Sequence, residues 1–244
     1  MRQRFQNKVC FVTGGTSGIG RAVAVQLAQE GGLVAIIGRD TQEGREVVRE
    51  IAAAGGTAKF IRTDIGRDAQ LVAAVGKTLA VWKKIDVLVC NAGMMTFEPL
   101  LKLAPKSWDT LFQVNVRSLF RLTQLCLPHM KHGSIVAVSS VHAHQTTPNV
   151  IPYAASKGAI EAFVRGLSQE IPHTHARINA VAPGAVDTPL LWSNPNVKSG
   201  KEKITGQVGT PEELSAAICF LASSEANFIN GTTLVADGGR LATL

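Results

Sequence analysis

The sequence lacks the long apolar segments that mark membrane and secreted proteins. No run of 18 or more apolar residues occurs in its 244 residues, so we expect no transmembrane helix. The first residues, Met1 to Phe5, contain no apolar segment of the signal-peptide type, and the expected location is the cytoplasm. Charged residues are also scarce at 18%, whereas hydrophobic residues make up 45%. This composition excludes a disordered chain and is typical of a folded protein with a large core.

Aromatic residues and cysteines are too few and too scattered to support several other functions. Aromatic residues account for 5% of the chain and include one tyrosine. The net charge is +7, but the basic residues neither cluster nor alternate with aromatic residues, so we expect no nucleic-acid binding. The four cysteines form no CxxC pair and have no histidine at metal-ligand spacing. We therefore expect no metal site and interpret the cysteines as core residues in a reducing compartment.

Short β-branched runs alternate with amphipathic segments along the chain, and no linker separates them. Several runs are apolar at every position, as expected for strands buried on both faces of a parallel sheet. The alternation predicts an α/β Rossmann fold, with helices flanking a doubly wound, seven-stranded parallel sheet in a single domain, residues 1–244. The predicted strands are 9–13, 33–37, 57–62, 87–90, 135–139, 178–182 and 233–236, and the predicted helices are about 19–30, 41–54, 68–82, 106–130, 153–170 and 211–222.

A glycine-rich turn lies between the first predicted strand and the first predicted helix. It reads Thr-Gly-Gly-Thr-Ser-Gly-Ile-Gly over residues 13–20. Glycines permit a tight turn and the close approach of a diphosphate to the backbone, and the helix N-terminus adds N–H donors and a positive dipole. The pattern predicts dinucleotide binding by Gly14, Thr16, Ser17, Gly18, Ile19 and Gly20.

Tyr153 and Lys157 are four positions apart and share a face of the helix predicted at 153–170. An ammonium near a phenol favours the phenolate, so we expect Lys157 to lower the pKa of Tyr153, as a general acid/base requires. The pair follows the strand predicted at 135–139, which leads into Ser140. Side chains at that strand end reach the edge of the sheet where ligands bind.

Thr-Gly-x-x-x-Gly-Ile-Gly and Tyr-x-x-x-Lys together resemble the compact, single-domain branch of the short-chain dehydrogenase/reductase family, over about residues 7–239. The resemblance implies hydride transfer between a nicotinamide dinucleotide and a carbonyl or secondary alcohol. It implies that Tyr153 transfers the proton and that Ser140 binds the substrate oxygen. It further implies that Lys157 contacts the nicotinamide ribose and that Asn115 kinks its helix and holds a proton-relay water. Implied cofactor contacts are Asp64, Ile65, Asn91, Ala92, Gly93, Tyr153, Lys157, Pro183, Gly184, Val186 and Thr188.

The residues after the second predicted strand bear on the choice of cofactor. Gly38 stands where NAD-preferring members of the family carry an acid, and Arg39 follows it. A guanidinium can clamp a phosphate, so we favour NADP(H), with Arg39 as the contact to the 2′-phosphate. NAD(H) stays open as the alternative, because Asp40 could bind a ribose hydroxyl and Ser17 provides no second basic side chain.

Substrate contacts are expected from a largely apolar set of residues around this centre. They are Met94, Met95, His142, Leu190, Leu191 and Trp192, and the last three belong to a short mobile lid expected at about 188–209. These residues do not choose among ketones, secondary alcohols, sugars and acyl-chain keto groups.

The resemblance also implies a homotetramer, with a dimer as the alternative. Apolar residues in excess on the helices predicted at 106–130 and 153–170 would build the interface: Leu111, Phe112, Leu119, Phe120, Leu122, Ala159, Phe163 and Leu167. Two other functions stay open, an NAD-dependent dehydrogenase of the same family and a non-catalytic, dinucleotide-binding redox sensor.

Overall fold

The structure is a computed structural model that describes residues 3–200, 204 and 206–242. The ends of the domain predicted at 1–244, and residues 201–203 and 205 of the predicted lid, lie outside the described residues. Within the described part of the chain, no helix is long and apolar enough to cross a membrane.

Seven parallel strands form one sheet in the order β3-β2-β1-β4-β5-β6-β7, which confirms the predicted doubly wound Rossmann topology. The strands are β1 Val9–Thr13, β2 Leu33–Gly38, β3 Thr57–Arg62, β4 Val87–Cys90, β5 Gly133–Val138, β6 Ala176–Pro183 and β7 Thr233–Ala236. Strand β5 begins and ends earlier than the predicted 135–139, and β6 extends beyond the predicted 178–182 at both ends. The chain winds in opposite directions from β1 and β4, and the strand order therefore reverses between these two neighbours.

The central strands are buried along their whole length because helices cover both faces of the sheet. Successive residues of a strand point to opposite faces and join different cores. In β1, Val12 packs in one core and Phe11 in the other. In β2, Ile36 and Ile37 divide in the same way. The uninterrupted apolar runs are thus explained by two apolar layers, one on each side of the sheet.

Nine α-helices flank the sheet in the described part of the chain: α1 Gly18–Gln29, α2 Thr41–Ala53, α3 Asp68–Trp82, α4 Pro105–Phe112, α5 Ser118–Cys126, α6 Ile151–Glu170, α7 Pro189–Trp192, α8 Pro195–Lys198 and α9 Pro211–Ala222. The continuous helix predicted at 106–130 is wrong. A π-helical turn, Gln113–Arg117, separates α4 from α5, and a 3₁₀ turn that contains Pro128 follows α5. The sequence pattern also missed α7 and α8, which lie within the predicted lid.

The apolar residues of α4 and α5 are not all available for assembly. Leu111, Leu119 and Leu122 are buried within the chain itself, so their assignment to a surface surplus is wrong. Phe120 is 46% exposed and remains on the surface. The four cysteines are free thiols, and burial raises the pKa of each of them.

Candidate active site

A cleft of about 820 Å³ lies at the carboxyl ends of the strands, where the strand order reverses. Most of the predicted site residues line it. They are Gly14, Thr16, Ser17, Gly18, Ile19, Arg39, Asp64, Ile65, Asn91, Ala92, Gly93, Met94, Met95, Ser140, His142, Tyr153, Lys157, Pro183, Gly184, Val186, Thr188, Leu190 and Leu191. The fold thus brings together residues from seven segments of the chain that the sequence keeps far apart.

Three predicted residues do not line the cleft. Gly20 lies beneath the glycine turn, where a Cβ would come within 2.2 Å of the Gly14 carbonyl oxygen. Asn115 is buried behind the cleft. Trp192 is 48% exposed, and its indole nitrogen donates a 2.6 Å hydrogen bond to Asp187 Oδ1. The structure therefore places Trp192 on the outer side of its segment.

The glycine turn presents backbone to the cleft. Gly14 has φ of +64°, a conformation that a residue with a side chain adopts rarely. Helix α1 begins at Gly18, and the Ser17 side chain makes no capping hydrogen bond to its first turn. No acidic side chain occupies that turn either. The N–H groups at this helix end are therefore available to an anion, and the turn fits a diphosphate.

Thr13 and Asn91 join the glycine turn to the end of β4. The Thr13 hydroxyl accepts hydrogen bonds from the backbone nitrogens of Asn91 and Ala92, at 3.0 and 3.1 Å. The Asn91 amide donates to the Thr13 carbonyl oxygen at 3.0 Å. Asn91 thus holds the turn in place as well as lining the cleft. Sequence reasoning missed Thr13, whose signal was its position directly before Gly14 at a strand end.

The residues after β2 bring both a cation, Arg39, and an acid, Asp40, to the cleft. A Cβ on Gly38 would lie 2.6 Å from Thr16 Cγ2, so the Thr16 methyl group fills the space beside Gly38. Arg39 lines the cleft. Asp40 Oδ1 accepts a 2.9 Å hydrogen bond from the Glu43 backbone nitrogen and caps α2. The Asp40 carboxylate therefore has a structural task that the sequence did not reveal.

The turn after β3 is shaped by Asp64. Its Oδ1 accepts a 3.0 Å hydrogen bond from the Gly66 nitrogen, and its Oδ2 lies 3.4 Å from Arg67 Nε. Its backbone nitrogen donates to Gln70 Oε1 at 2.7 Å. Asp64 and the buried Ile65 both line the cleft, so this turn forms the wall expected to meet the adenine.

Tyr153 and Lys157 meet Ser140 at the centre of the cleft. Lys157 Nζ donates a 2.7 Å hydrogen bond to the Val138 carbonyl oxygen and lies 5.3 Å from the centroid of the Tyr153 ring. The Ser140 side chain lies beside the Tyr153 phenol and acts to lower the pKa of that phenol. Ser140 Oγ also accepts a 3.2 Å hydrogen bond from the backbone nitrogen of His142. A hydroxyl, a phenol and an ammonium therefore converge on one small volume.

Burial governs the proton affinities of Tyr153 and Lys157. It raises the pKa of Tyr153 to about 12, and the Ser140 side chain opposes this rise. Burial lowers the pKa of Lys157 to about 8. The expectation that the pKa of Tyr153 is depressed is wrong for this structure, because burial disfavours the phenolate.

The segment after β6 forms the other wall of the cleft. Val186 pairs with Gly209 in an isolated parallel bridge, and the Asp187 nitrogen donates to the Gly209 carbonyl oxygen at 2.9 Å. The Thr188 hydroxyl accepts a hydrogen bond from the Leu191 nitrogen and caps α7. The two ends of the segment expected to form a lid are thus tied together at the base of the cleft.

Comparisons with known proteins agree with this arrangement. A family model described as Enoyl-(Acyl carrier protein) reductase matches residues 14–240. A short chain dehydrogenase from Burkholderia cenocepacia J2315, solved in complex with NADP, has a TM-score of 0.89 and 31% identity and covers 96% of this chain and 98% of its own. The chain belongs to the short-chain dehydrogenase/reductase family.

Other members of this family extend the likeness across nearly the whole chain. Cyclopentanol dehydrogenase from Comamonas sp. (strain NCIMB 9872) is 34% identical over 244 residues, which cover 97% of this chain and 98% of the relative. A 7 alpha-hydroxysteroid dehydrogenase complexed with NADH and 7-oxo glycochenodeoxycholic acid has a TM-score of 0.90 and 30% identity, and covers 98% of this chain and 96% of its own. The protein is an oxidoreductase of this family, and the two related structures were solved with NADP and with NADH.

Asn115, the residue expected to hold a proton-relay water, lies in the π-helical turn. Its amide exchanges two 2.9 Å hydrogen bonds with the backbone of Met94 and donates a third, of 3.0 Å, to Ser156 Oγ. Ser156 Oγ in turn donates to the Tyr153 carbonyl oxygen at 2.7 Å. Asn115 thus connects the loop after β4 to the helix of Tyr153.

The substrate side of the short-chain dehydrogenase cleft is mostly apolar. Met94 and Met95 pack in a small cluster with Tyr153 and Val150. The His142 ring stands edge-on to the Tyr153 ring, with centroids 5.6 Å apart, and its Nδ1 lies 3.0 Å from Thr146 Oγ1. Sequence reasoning missed several lining residues whose types carry no signal of their own, among them Ile37, Val114 and Arg240.

Proposed function

We propose that this protein is an NADP(H)-dependent oxidoreductase that interconverts a carbonyl and a secondary alcohol, with Tyr153 as the general acid/base. One observation carries the proposal: the Tyr153 phenol, the Ser140 hydroxyl and the Lys157 ammonium meet in the same cleft as an uncapped, glycine-rich helix N-terminus. A dinucleotide anchored by that helix end would extend toward the trio. When bound, its nicotinamide supplies or accepts the hydride.

Each side chain of the trio has a distinct task. Tyr153 donates its proton to the substrate oxygen in the reduction and takes it back in the oxidation. Ser140 polarises the same oxygen by a hydrogen bond. Lys157, with a pKa of about 8, exchanges protons near neutral pH and can resupply the phenol. The relay water expected beside Asn115 stays a prediction.

NADP(H) is the proposed cofactor because the cleft wall at the adenosine end carries Arg39 and no acid at position 38. The Thr16 methyl group fills the space where a side chain at position 38 would begin, and Asp40 is engaged as the cap of α2. Both features favour a 2′-phosphate over a bare ribose hydroxyl at this wall. NAD(H) is the alternative, and the related 7 alpha-hydroxysteroid dehydrogenase was solved with NADH.

The proposed substrates are compact ketones or secondary alcohols with an apolar frame. Met94, Met95, Leu190 and Leu191 supply apolar surface next to Tyr153, and His142 adds one polar group. The name of one relative, cyclopentanol dehydrogenase, supports this class. Trp192 would join the pocket through a movement of the proposed lid at about 188–209.

A rate assay with both reduced cofactors tests the proposed function. The protein is mixed with NADPH or NADH and a panel of ketones, and loss of absorbance of the reduced cofactor is followed; alcohols with NADP⁺ or NAD⁺ test the reverse direction. We expect turnover with a larger kcat/KM for NADPH. Preference for NADH would support the alternative dehydrogenase. Cofactor binding without turnover over the whole panel would favour the redox sensor.

We further propose a cytoplasmic, single-domain homotetramer, with a dimer as the alternative. Phe120 is exposed, as are Leu234 and Val235 on the edge strand β7, and burial of such apolar surface drives association. Light scattering coupled to size exclusion distinguishes the two states, and a monomer at assay concentration would contradict both.

A further inference from the structure

Helix α6 carries a buried carboxylate that the proposed chemistry does not use. Glu161 is 5% exposed and lies one helical turn after Lys157. Its side chain contacts the imidazole of His144, whose Nε2 lies 3.3 Å from Glu161 Oε1. A carboxylate in such a place is costly unless its oxygens are well bound. The position of Glu161 therefore calls for an explanation.

The same oxygen of Glu161 binds a second group. Oε1 accepts a 2.8 Å hydrogen bond from the hydroxyl of Ser139, a residue that is 2% exposed. Ser139 and His144 stand on either side of Ser140 in the chain. Between them runs the 3₁₀ turn Val141–Ala143. One carboxylate oxygen thus holds both ends of the short segment that presents Ser140 to the cleft.

We propose that Glu161 is a positioning residue that sets the Ser140 hydroxyl against Tyr153 by clamping Ser139 and His144. This inference rests on the proposed function, since it assigns Ser140 its partner in the reaction. The neighbouring titratable side chains are engaged elsewhere: Lys157 Nζ donates to the Val138 carbonyl oxygen, and His142 Nδ1 contacts Thr146. The clamp orients a catalytic hydroxyl without touching substrate.

Because the chain contains a single tyrosine, the clamp can be tested by NMR without an activity assay. Protein labelled with ¹³C at the tyrosine Cζ gives one resonance, which reports how the Ser140 side chain is placed beside the Tyr153 phenol. The experiment compares Glu161→Met, which keeps the volume but removes the acceptor, with Glu161→Gln, which keeps an oxygen acceptor. Ser140→Ala gives the resonance of a Tyr153 without this partner, and Glu170→Met, at an exposed position of the same helix, is the matched control.

We expect the Glu161→Met resonance to move toward that of Ser140→Ala, while Glu161→Gln and Glu170→Met stay near the wild-type position. In turnover, Glu161→Met should lower kcat roughly tenfold or more with little change in the Kd for NADPH, because small displacements of catalytic groups have large effects on rate. Glu161→Gln should recover most of that loss. Ser139→Ala, which removes one arm of the clamp, should show a smaller loss.

A wild-type resonance and a wild-type kcat in folded Glu161→Met would overturn the clamp. If Glu161→Met does not fold, the Ser139→Ala and His144→Ala variants test the clamp instead. An unshifted tyrosine resonance in both of these variants would also overturn the proposal. Absence of turnover in the wild-type protein would count against the proposed function, whereas the resonance would still test the clamp on its own.

Discussion

Lys157 donates a 2.7 Å hydrogen bond to the carbonyl oxygen of Val138, the last residue of β5. This contact anchors the ammonium at the strand end, and the ring of Tyr153 lies 5.3 Å from it. The ammonium is nevertheless buried, and its pKa falls from the ordinary 10.5 to about 8. The buried charge on Lys157 therefore lowers the free energy of unfolding by an amount that depends on pH.

The first prediction concerns stability against pH. Between pH 8 and 10.5 the unfolded chain binds a proton at Lys157 that the folded protein has lost, so the free energy of unfolding should rise with pH in this interval. Relative to Lys157→Met, the wild type should gain about 2 kcal/mol between pH 7 and about pH 9.5. Urea denaturation of both proteins at the two pH values measures the gain.

The comparison between the two pH values removes every effect of the substitution that does not depend on pH. Any fixed gain or loss from replacing Lys157 cancels when the two pH values are subtracted, and the remaining titratable groups are shared by both proteins. A difference between wild type and Lys157→Met that does not change with pH would show that burial does not depress the pKa of Lys157.

The second prediction tests Arg39 as the phosphate contact. Arg39→Asp removes a charge-assisted hydrogen bond and places a carboxylate where the 2′-phosphate would lie, so kcat/KM for NADPH should fall roughly 10²-fold. The value for NADH should change little or rise. Arg45→Asp, at an exposed position of α2, is the control of equal charge. An unchanged cofactor preference in Arg39→Asp would remove the argument for NADP(H).

The third prediction concerns Gly20 beneath the glycine turn. A methyl group there would lie 2.2 Å from the Gly14 carbonyl oxygen, so Gly20→Ala should displace the turn. We expect a weaker Kd for NADPH in a titration and a loss of about 1–3 kcal/mol in the free energy of unfolding.

Gly76 in α3 provides the contrast, because a Cβ at that position meets nothing within 4 Å. Gly76→Ala should leave NADPH binding unchanged and stabilise the protein by about 0.5–1 kcal/mol, as expected inside a helix. Equal NADPH affinity in both alanine variants would contradict the proposed role of Gly20.

The strands were predictable because their signal is local. Four strands, β1, β3, β4 and β7, have the bounds expected from their β-branched runs. No local pattern predicts the break between α4 and α5, and only the family resemblance at Asn115 indicated a kink there: the hydrogen bonds between Asn115 and the distant Met94 lie at the π-helical turn where the helix changes. Sequence spacing carries no information about a contact of that kind.

The site shows the same division. Tyr153 and Lys157 share a helix face by spacing alone, and this pairing could be expected from the sequence. The raised pKa of Tyr153 could not, because it follows from burial by residues that arrive from other segments. The outward position of Trp192 likewise depends on a hydrogen bond to Asp187 that no periodicity indicates.

The most direct measurement is the turnover of Tyr153→Phe beside its affinity for NADPH. Phenylalanine keeps the ring that packs against Met94 and Val150 but removes the transferable proton. We predict that kcat falls roughly 10²–10⁴-fold while the Kd for NADPH stays near the wild-type value. A variant that turns over at close to the wild-type rate would show that the proton comes from elsewhere and would contradict the assignment of Tyr153.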